Sequence, residues 1–330
     1  MLNAAIVGLG RWGQRLVEAV SSPPSAALRF THAVVRTPDK VAGLCRTHGL
    51  TLSNYESVMR DPGVKAVVLA TPHSQHAQQV MQAAGAKKHV FVEKPFTLDF
   101  RSASAAANAC RSAGVVLAAG HNRRFLPAMM EMKRVVDSGE LGEILHVEGA
   151  FSGNFGLGYR PGIWRATRAE SPAGGMTAMG IHIIDAFIHL LGPIGSVRCE
   201  SQRKVLAVDM DDTTSAFVQF ESGATGYLST LTATGRIVRV QVFGTRGWLH
   251  LLDHHLLERC DIDGQVQRTE FPKVDIERLE LEAFADAVAG KAKYPVSAEE
   301  AVHGVAVMEA AIRSAAHGGD RVRIARGKSA

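Results

Sequence analysis

Residues 2–20, LNAAIVGLGRWGQRLVEAV, decide the fold. A short apolar run reads as a strand, ends in glycine, and passes directly into a segment with helical spacing of its apolar residues. Gly8, Gly10 and Gly13 fall at Gly-x-Gly-x-x-Gly spacing between the two. The first glycine allows a tight turn, the second lets a pyrophosphate approach the backbone, and the third lets helix pack on strand. The helix N-terminus would then offer N–H donors to the phosphates. The plain alternative is a tight strand-helix turn with no ligand.

The segments that follow favour the dinucleotide reading. LRFTHAVV, VKAVVLA, KHVFVE and GVVLAAG read as further strands, with DKVAGLCRTHG, SQHAQQVMQAAG and DFRSASAAANACRSAG as helices around them. Such alternation specifies βαβ units and a parallel sheet. After Arg124 the rhythm stops. Residues 143–152, 196–208, 213–233, 237–253 and 256–264 alternate apolar and polar positions around glycine-containing turns, predicting an open, mainly antiparallel sheet. The expected fold is therefore an α/β dinucleotide-binding domain over residues 1–122 and an α+β substrate-binding and oligomerisation domain over 123–330. A last helix, about residues 297–316, opens on SAEE, closes on HGG, and is expected to pack back near the N-terminal domain.

The 330 residues are 46% apolar and carry a formal net charge of +5, enough for about two buried cores. The longest apolar runs fall far short of the roughly 20 residues of a membrane span, and the N-terminus lacks the pattern of a signal peptide, so the expectation is a cytoplasmic protein with no membrane partner. Lys and Arg are scattered without interleaved aromatics, which argues against nucleic acid. Cys45, Cys110, Cys199 and Cys260 show no pairing or ligand spacing and read as reduced, buried thiols, with no metal.

Which dinucleotide binds is decided at the end of the second strand, AVVRTPDK. Arg36 and Thr37 occupy the reach of the acid that would hold a ribose 2′-hydroxyl, and no acid precedes Asp39. A guanidinium beside a hydroxyl suits a 2′-phosphate, so NADP(H) is preferred and NAD(H) possible. The alternative is a solvated Arg36 with Asp39 capping the next helix. In residues 89–99, HVFVEKPFTLD, a buried strand ends in an acid, a base and a proline. Ligands of open parallel sheets bind at the carboxyl ends of strands. Alternation turns Glu93 and Lys94 opposite ways, so Lys94 is the crevice residue and Glu93 the partner of a basic group.

VGLGRWG, ATPHSQHAQQVMQAAGAKKHVFVEKPF, AGHNRRFLPA, GGMTAMGIHIIDAFIHLLG and YPVSAEEAVHGVAVMEAAIRSA together resemble the Gfo/Idh/MocA oxidoreductase family over nearly the whole chain. The resemblance implies a Rossmann domain for a nicotinamide cofactor, a second domain whose sheet mediates homodimers or homotetramers, and hydride transfer at an alcohol or carbonyl. It implies that Lys94 touches cofactor and substrate, often beside a cis proline, and that His182 transfers the proton. The matching motifs extend the cofactor-binding set to Arg11, Trp12, Thr71, Pro72, His73, His76, Glu93, Asn122, Trp164 and Arg165.

Helical spacing puts Ala178, His182, Asp185 and His189 on one face, and an imidazole there can exchange a proton near neutral pH. Metal-ligand and purely structural readings of that face remain as alternatives. Many family members carry an Asp where this chain has Ala178, and Asp185 is the candidate to compensate. Substrate contacts are expected from Lys94, Arg123, Tyr159, Arg165 and His182, with Arg124, Arg160 and Arg168 as further candidates. Clustered arginine points to a sugar-like or carboxylate-bearing small molecule. The leading reading is an NADP(H)-dependent oxidoreductase. The alternatives are a redox-neutral NAD(P)-dependent enzyme such as a glycosidase and a non-catalytic cofactor-binding regulator.

Overall fold

The computed structural model describes residues 1–325. Two compact units divide them. The first comprises Met1–Asn122 and Asp275–Val302, and the second Arg123–Val274 with the residues from His303 onward. The boundary after Asn122 coincides with the sequence division. Residues 275–302, assigned by the sequence to the second domain, cluster instead with the first unit.

The first unit holds β1 (Leu2–Val7), β2 (Leu28–Val34), β3 (Thr51–Ser53), β4 (Ala66–Leu69), β5 (His89–Glu93) and β6 (Leu117–Gly120). They form one parallel sheet in the order β3-β2-β1-β4-β5-β6. Its central strands are buried on both faces, which is why they read as continuous apolar runs. Strand order reverses between β1 and β4, and that switch point is where doubly wound sheets bind ligands. Helices α1 (Arg11–Ser21), α2 (Ala42–Thr47), α3 (Tyr55–Arg60), α4 (His76–Gly85) and α5 (Phe100–Ala113) connect the strands. The Asp99 carboxylate caps α5 by accepting from Ser102 N–H at 2.8 Å.

The second unit holds α6 (Pro127–Asp137), β7 (Ile144–Ser152), α7 (Ile181–Leu191), β8 (Ile194–Gln202), β9 (Thr213–Phe220), β10 (Thr225–Leu231), β11 (Ile237–Gly244), β12 (Gly247–Leu252), β13 (Leu256–Asp261) and β14 (Val266–Glu270). With β15 (Val322–Arg323), nine strands make a sheet that is antiparallel except where β10 pairs with β7. Gly149 in β7 lets α7 approach closely: a Cβ there would come within 2.3 Å of the Ile183 side chain. Residues 203–208, expected to prolong β8, form no strand. Asp212 gathers that segment instead, its Oδ2 accepting from the N–H groups of Lys204, Val205 and Leu206.

The returning segment brings α8 (Ile276–Val288) back into the first unit. Leu281, Phe284 and Ala285 join the core built from β1, α1 and β2, and Phe284 meets Phe91 of β5 edge-on at 5.9 Å. The last helix, α9 (Ala298–Ala316), opens with a capping box in which Ser297 N–H donates to Glu300 and Glu300 N–H donates back to Ser297 Oγ. Its first turn clusters with the first unit and the remainder with the second.

Candidate functional site

In the first unit, the turn between β1 and α1 has the shape a pyrophosphate requires. Gly8 takes φ +95°, and a Cβ there would lie 2.6 Å from the Ala70 carbonyl oxygen. A Cβ on Gly13 would lie 1.9 Å from the Gly8 carbonyl oxygen, so only glycine lets α1 start here. Gly10 differs, because a Cβ on it would meet nothing within 4 Å. Open space therefore faces the backbone at the N-terminus of α1, where unsatisfied N–H groups concentrate partial positive charge. Trp12 packs on the first core, and its buried Nε1 has no hydrogen-bond partner among the described residues. The turn, its open face and this orphan donor fit a dinucleotide.

Arg36 and Thr37 are exposed just beyond the end of β2, and Arg11 is exposed at the start of α1. Neither arginine makes a side-chain hydrogen bond or ion pair among the described residues. After β4, Thr71 Oγ1 donates to Gln79 Oε1 at 2.6 Å. After β5, Lys94 is half-buried and its N–H donates to the Glu93 carboxylate at 3.2 Å. The Lys94–Pro95 peptide bond is cis.

Three members of the expected cofactor set are differently engaged. Both ring nitrogens of fully buried His76 meet backbone carbonyls, those of Pro95 and Thr71, so the imidazole braces two loops. Asn122 is 1% exposed and donates to Glu277 Oε1 at 2.9 Å, anchoring α8. His73 is buried and stands edge-on to His76.

In the second unit, His182 near the start of α7 lies over Phe151, the ring centroids 5.8 Å apart. The Arg123 guanidinium covers the same phenyl ring at 5.2 Å, and its Nη1 is 3.3 Å from His182 Nε2. A guanidinium only donates, so His182 Nε2 is the acceptor and the ring proton belongs on Nδ1. His254, in the turn after β12, stands edge-on to Phe151 at 6.3 Å. Burial first, then the positive charge of Arg123, push this imidazole down to about 4. One cation and two imidazoles thus surround the Phe151 ring.

Asp185, the candidate to compensate for Ala178, pairs with Arg124, whose Nη2 donates to Oδ1 at 2.7 Å and whose Nε donates to both carboxylate oxygens at 3.1 Å. Arg124, a substrate candidate, is buried in this pair. Arg168 is paired with Asp209 and Asp211, and Arg160 donates to the carbonyls of Leu157 and Tyr159. Arg165 instead covers the Trp164 ring at 4.6 Å, and the Tyr159 ring packs on a small cluster of Ala166, Leu206, Val208 and Met210. Ala178 lies in a π-helical turn, Met176–Gly180, that precedes α7 and breaks the i, i+4 spacing from which a shared face with His182 was predicted.

Phe151 and His254 escaped the sequence reading. Phe151 looks like any apolar strand residue. His254 comes into place only through the pairing of β11 with β12 and the Asp253 N–H bond to the Val238 carbonyl. Among the described residues, no cluster of three or more His, Cys, Asp or Glu could hold a metal, and no helix is long and apolar enough to cross a membrane. All four cysteines are buried and unbridged.

Residues 2–121 match the model of an oxidoreductase family with an NAD-binding Rossmann fold, and residues 129–250 match the GFO/IDH/MocA C-terminal domain. Scyllo-inositol 2-dehydrogenase (NAD(+)) of Bacillus subtilis is 30% identical over 255 residues, covering 74% of this chain and 72% of that protein. Levoglucosan dehydrogenase of Pseudarthrobacter phenanthrenivorans is 25% identical over 281 residues, covering 74% and 72%. A solved structure from Desulfitobacterium hafniense, provisionally described as an NADPH-dependent oxidoreductase, superposes with a TM-score of 0.91 at 27% identity, covering 98% of this chain and 97% of that one.

Proposed function

Because this chain belongs to the Gfo/Idh/MocA family of NAD(P)-binding oxidoreductases, we propose that it moves a hydride between NADP(H) and a small sugar-like or carboxylate-bearing alcohol or carbonyl. The observation that carries the reading is Lys94, presented immediately after β5 in a parallel sheet whose neighbouring glycine turn leaves open space for a pyrophosphate. Bound nicotinamide supplies or accepts the hydride. The Lys94 ammonium stabilises negative charge on the reacting oxygen, a role that fixed cations fill well in water-poor sites. His182 carries the proton, and the Nδ1–H tautomer favoured by Arg123 fixes which nitrogen is basic. Arg123, stacked with His182 on the Phe151 ring, supports an anionic or polyhydroxylated substrate. Named substrates of relatives, scyllo-inositol and levoglucosan, support the polyol side of this class.

Arg36 supports the preference for NADP(H): it is exposed beyond β2, makes no ion pair among the described residues, and has no neighbouring acid before Asp39. The face of the second sheet bearing Phe217 and its cross-strand neighbour Tyr227, with Ile237 also exposed, supports self-association through this sheet. Light scattering of the purified chain tests that point, and a monomer at micromolar concentration would remove it.

Fluorescence titration with NADPH and NADH, followed by a panel of inositols, levoglucosan and uronic acids, tests the function. NADPH is expected to bind several-fold more tightly, with Arg36→Asp reversing the order; equal affinities would sink the cofactor assignment. Lys94→Met and His182→Ala are each expected to cut kcat by about 10²–10⁴. Their combined effect should fall short of the product, and NADPH affinity should stay within a few-fold. Full turnover by His182→Ala would take the histidine out of the mechanism.

A further inference from the structure

His76 opens α4, and its side chain is fully buried. Its Nδ1 lies 2.9 Å from the Pro95 carbonyl oxygen and its Nε2 3.1 Å from the Thr71 carbonyl oxygen. Thr71 follows β4 and Pro95 follows β5, and those strands are adjacent and parallel. One imidazole therefore ties together the two loops at the carboxyl end of the sheet. The Thr71 side of this tie is itself anchored, because Thr71 Oγ1 donates to Gln79 and Tyr55 Oη donates to the Gln79 carbonyl at 2.7 Å. On the other side, Lys94 is held at its own N–H by the Glu93 carboxylate and at the following carbonyl by His76.

We propose that His76 is a positioning residue for Lys94, a two-handed brace that fixes the lysine-bearing bend to the Thr71 loop. The proposal rests on the assignment of Lys94 as the charge-stabilising group and names what holds it. Both partners are carbonyl oxygens, which only accept, so the imidazole grips a loop through a buried N–H that a phenyl ring of similar size cannot supply.

The experiment needs neither substrate nor cofactor. In the unmodified protein with nitrogen-15 histidine, NMR is expected to show one imidazole N–H protected from solvent exchange, and His76→Asn removes that signal. Acetic anhydride labelling mapped by peptide mass spectrometry then reads the lysine itself. In His76→Asn and His76→Phe, acetylation of Lys94 rises several-fold while Lys87 and Lys133 keep their rates. The absence of a protected imidazole N–H in the unmodified protein overturns the brace, and so does unchanged Lys94 labelling in both variants. Normal turnover by Lys94→Met, by contrast, would refute the catalytic assignment and leave the brace standing, so the two failures are distinguishable.

Discussion

Deleting the Asp185 carboxylate tests whether this acid belongs to the fold or to the chemistry. The Arg124 and Asp185 side chains are 2% and 6% exposed, and three N–H···O contacts of 2.7–3.1 Å join them. Removing one partner of such a buried pair strands the other charge away from water, which costs about 3–5 kcal/mol. A unit of this size shifts its melting temperature by about 2–4 °C per kcal/mol, so Asp185→Ala is expected to lower Tm by roughly 6–20 °C. The paired replacement Arg124→Met with Asp185→Leu removes both charges while keeping apolar bulk, and buried pairs replaced in this way often lose little. Urea unfolding of the full chain, followed by circular dichroism, measures both variants against the unmodified protein. A loss below about 1 kcal/mol for Asp185→Ala, or a double variant no better than the single one, would refute the buried-charge argument. A displaced pH-rate profile in the double variant would show instead that Asp185 acts on His182.

The two inner glycines should separate stability from binding. Gly10→Ala, with nothing within 4 Å of the new methyl, is expected to keep its Tm and lose NADPH affinity; Gly13→Ala, with the Cβ 1.9 Å from a carbonyl oxygen, is expected to lose about 1–3 kcal/mol or more of stability. Unchanged NADPH affinity in Gly10→Ala would mean that the open face is not the pyrophosphate seat. His254 is held down to about 4 from an ordinary 6.5, so the unfolded chain binds the extra proton between those values. Stability contributed by this group is therefore present above about pH 6.5 and lost as pH falls toward 4, and His254→Gln should flatten that limb of a Tm-against-pH curve. An identical limb in the variant would remove His254 as its source.

The parallel sheet was legible because its strands are short, apolar and buried on both faces, and because glycine spacing marks the first turn without any long-range information. Lys94 was legible for a related reason: charge directly after a buried strand is visible in one dimension. The polar roles around α7 were not. Three arginines and an acid that read as site residues are consumed by Asp185, Asp209, Asp211, Arg124 and loop carbonyls, pairings set by which loops meet and not by local pattern. The π-helical turn before α7 shows the same limit, since counting by fours from Ala178 to His182 assumes a helix that the backbone does not make there. Residues 203–208 look like strand by composition, yet the Asp212 carboxylate claims their N–H groups first. Short β3, and β14 with all five of its residues exposed, carry too little apolar pattern to be read at all.

The return of α8 to the first unit bears on how this chain could be cut, fused or shuffled. Residues 2–121 look like a portable nucleotide-binding cassette when judged by family match, and a gene fragment ending there would be a natural choice for domain transplantation. Such a fragment would leave behind Leu281, Phe284 and Ala285, which fill the same core as β1, α1 and β2, and would strip Phe91 of its ring partners Phe284 and Tyr294. It would also omit Asp275 and Glu277, which hold Arg15 on α1. A transplant that splices residues 275–302 behind the Rossmann segment through a short linker carries its own core with it. The modular unit of this architecture is discontinuous in the gene, and recombination breakpoints that respect it must come in pairs.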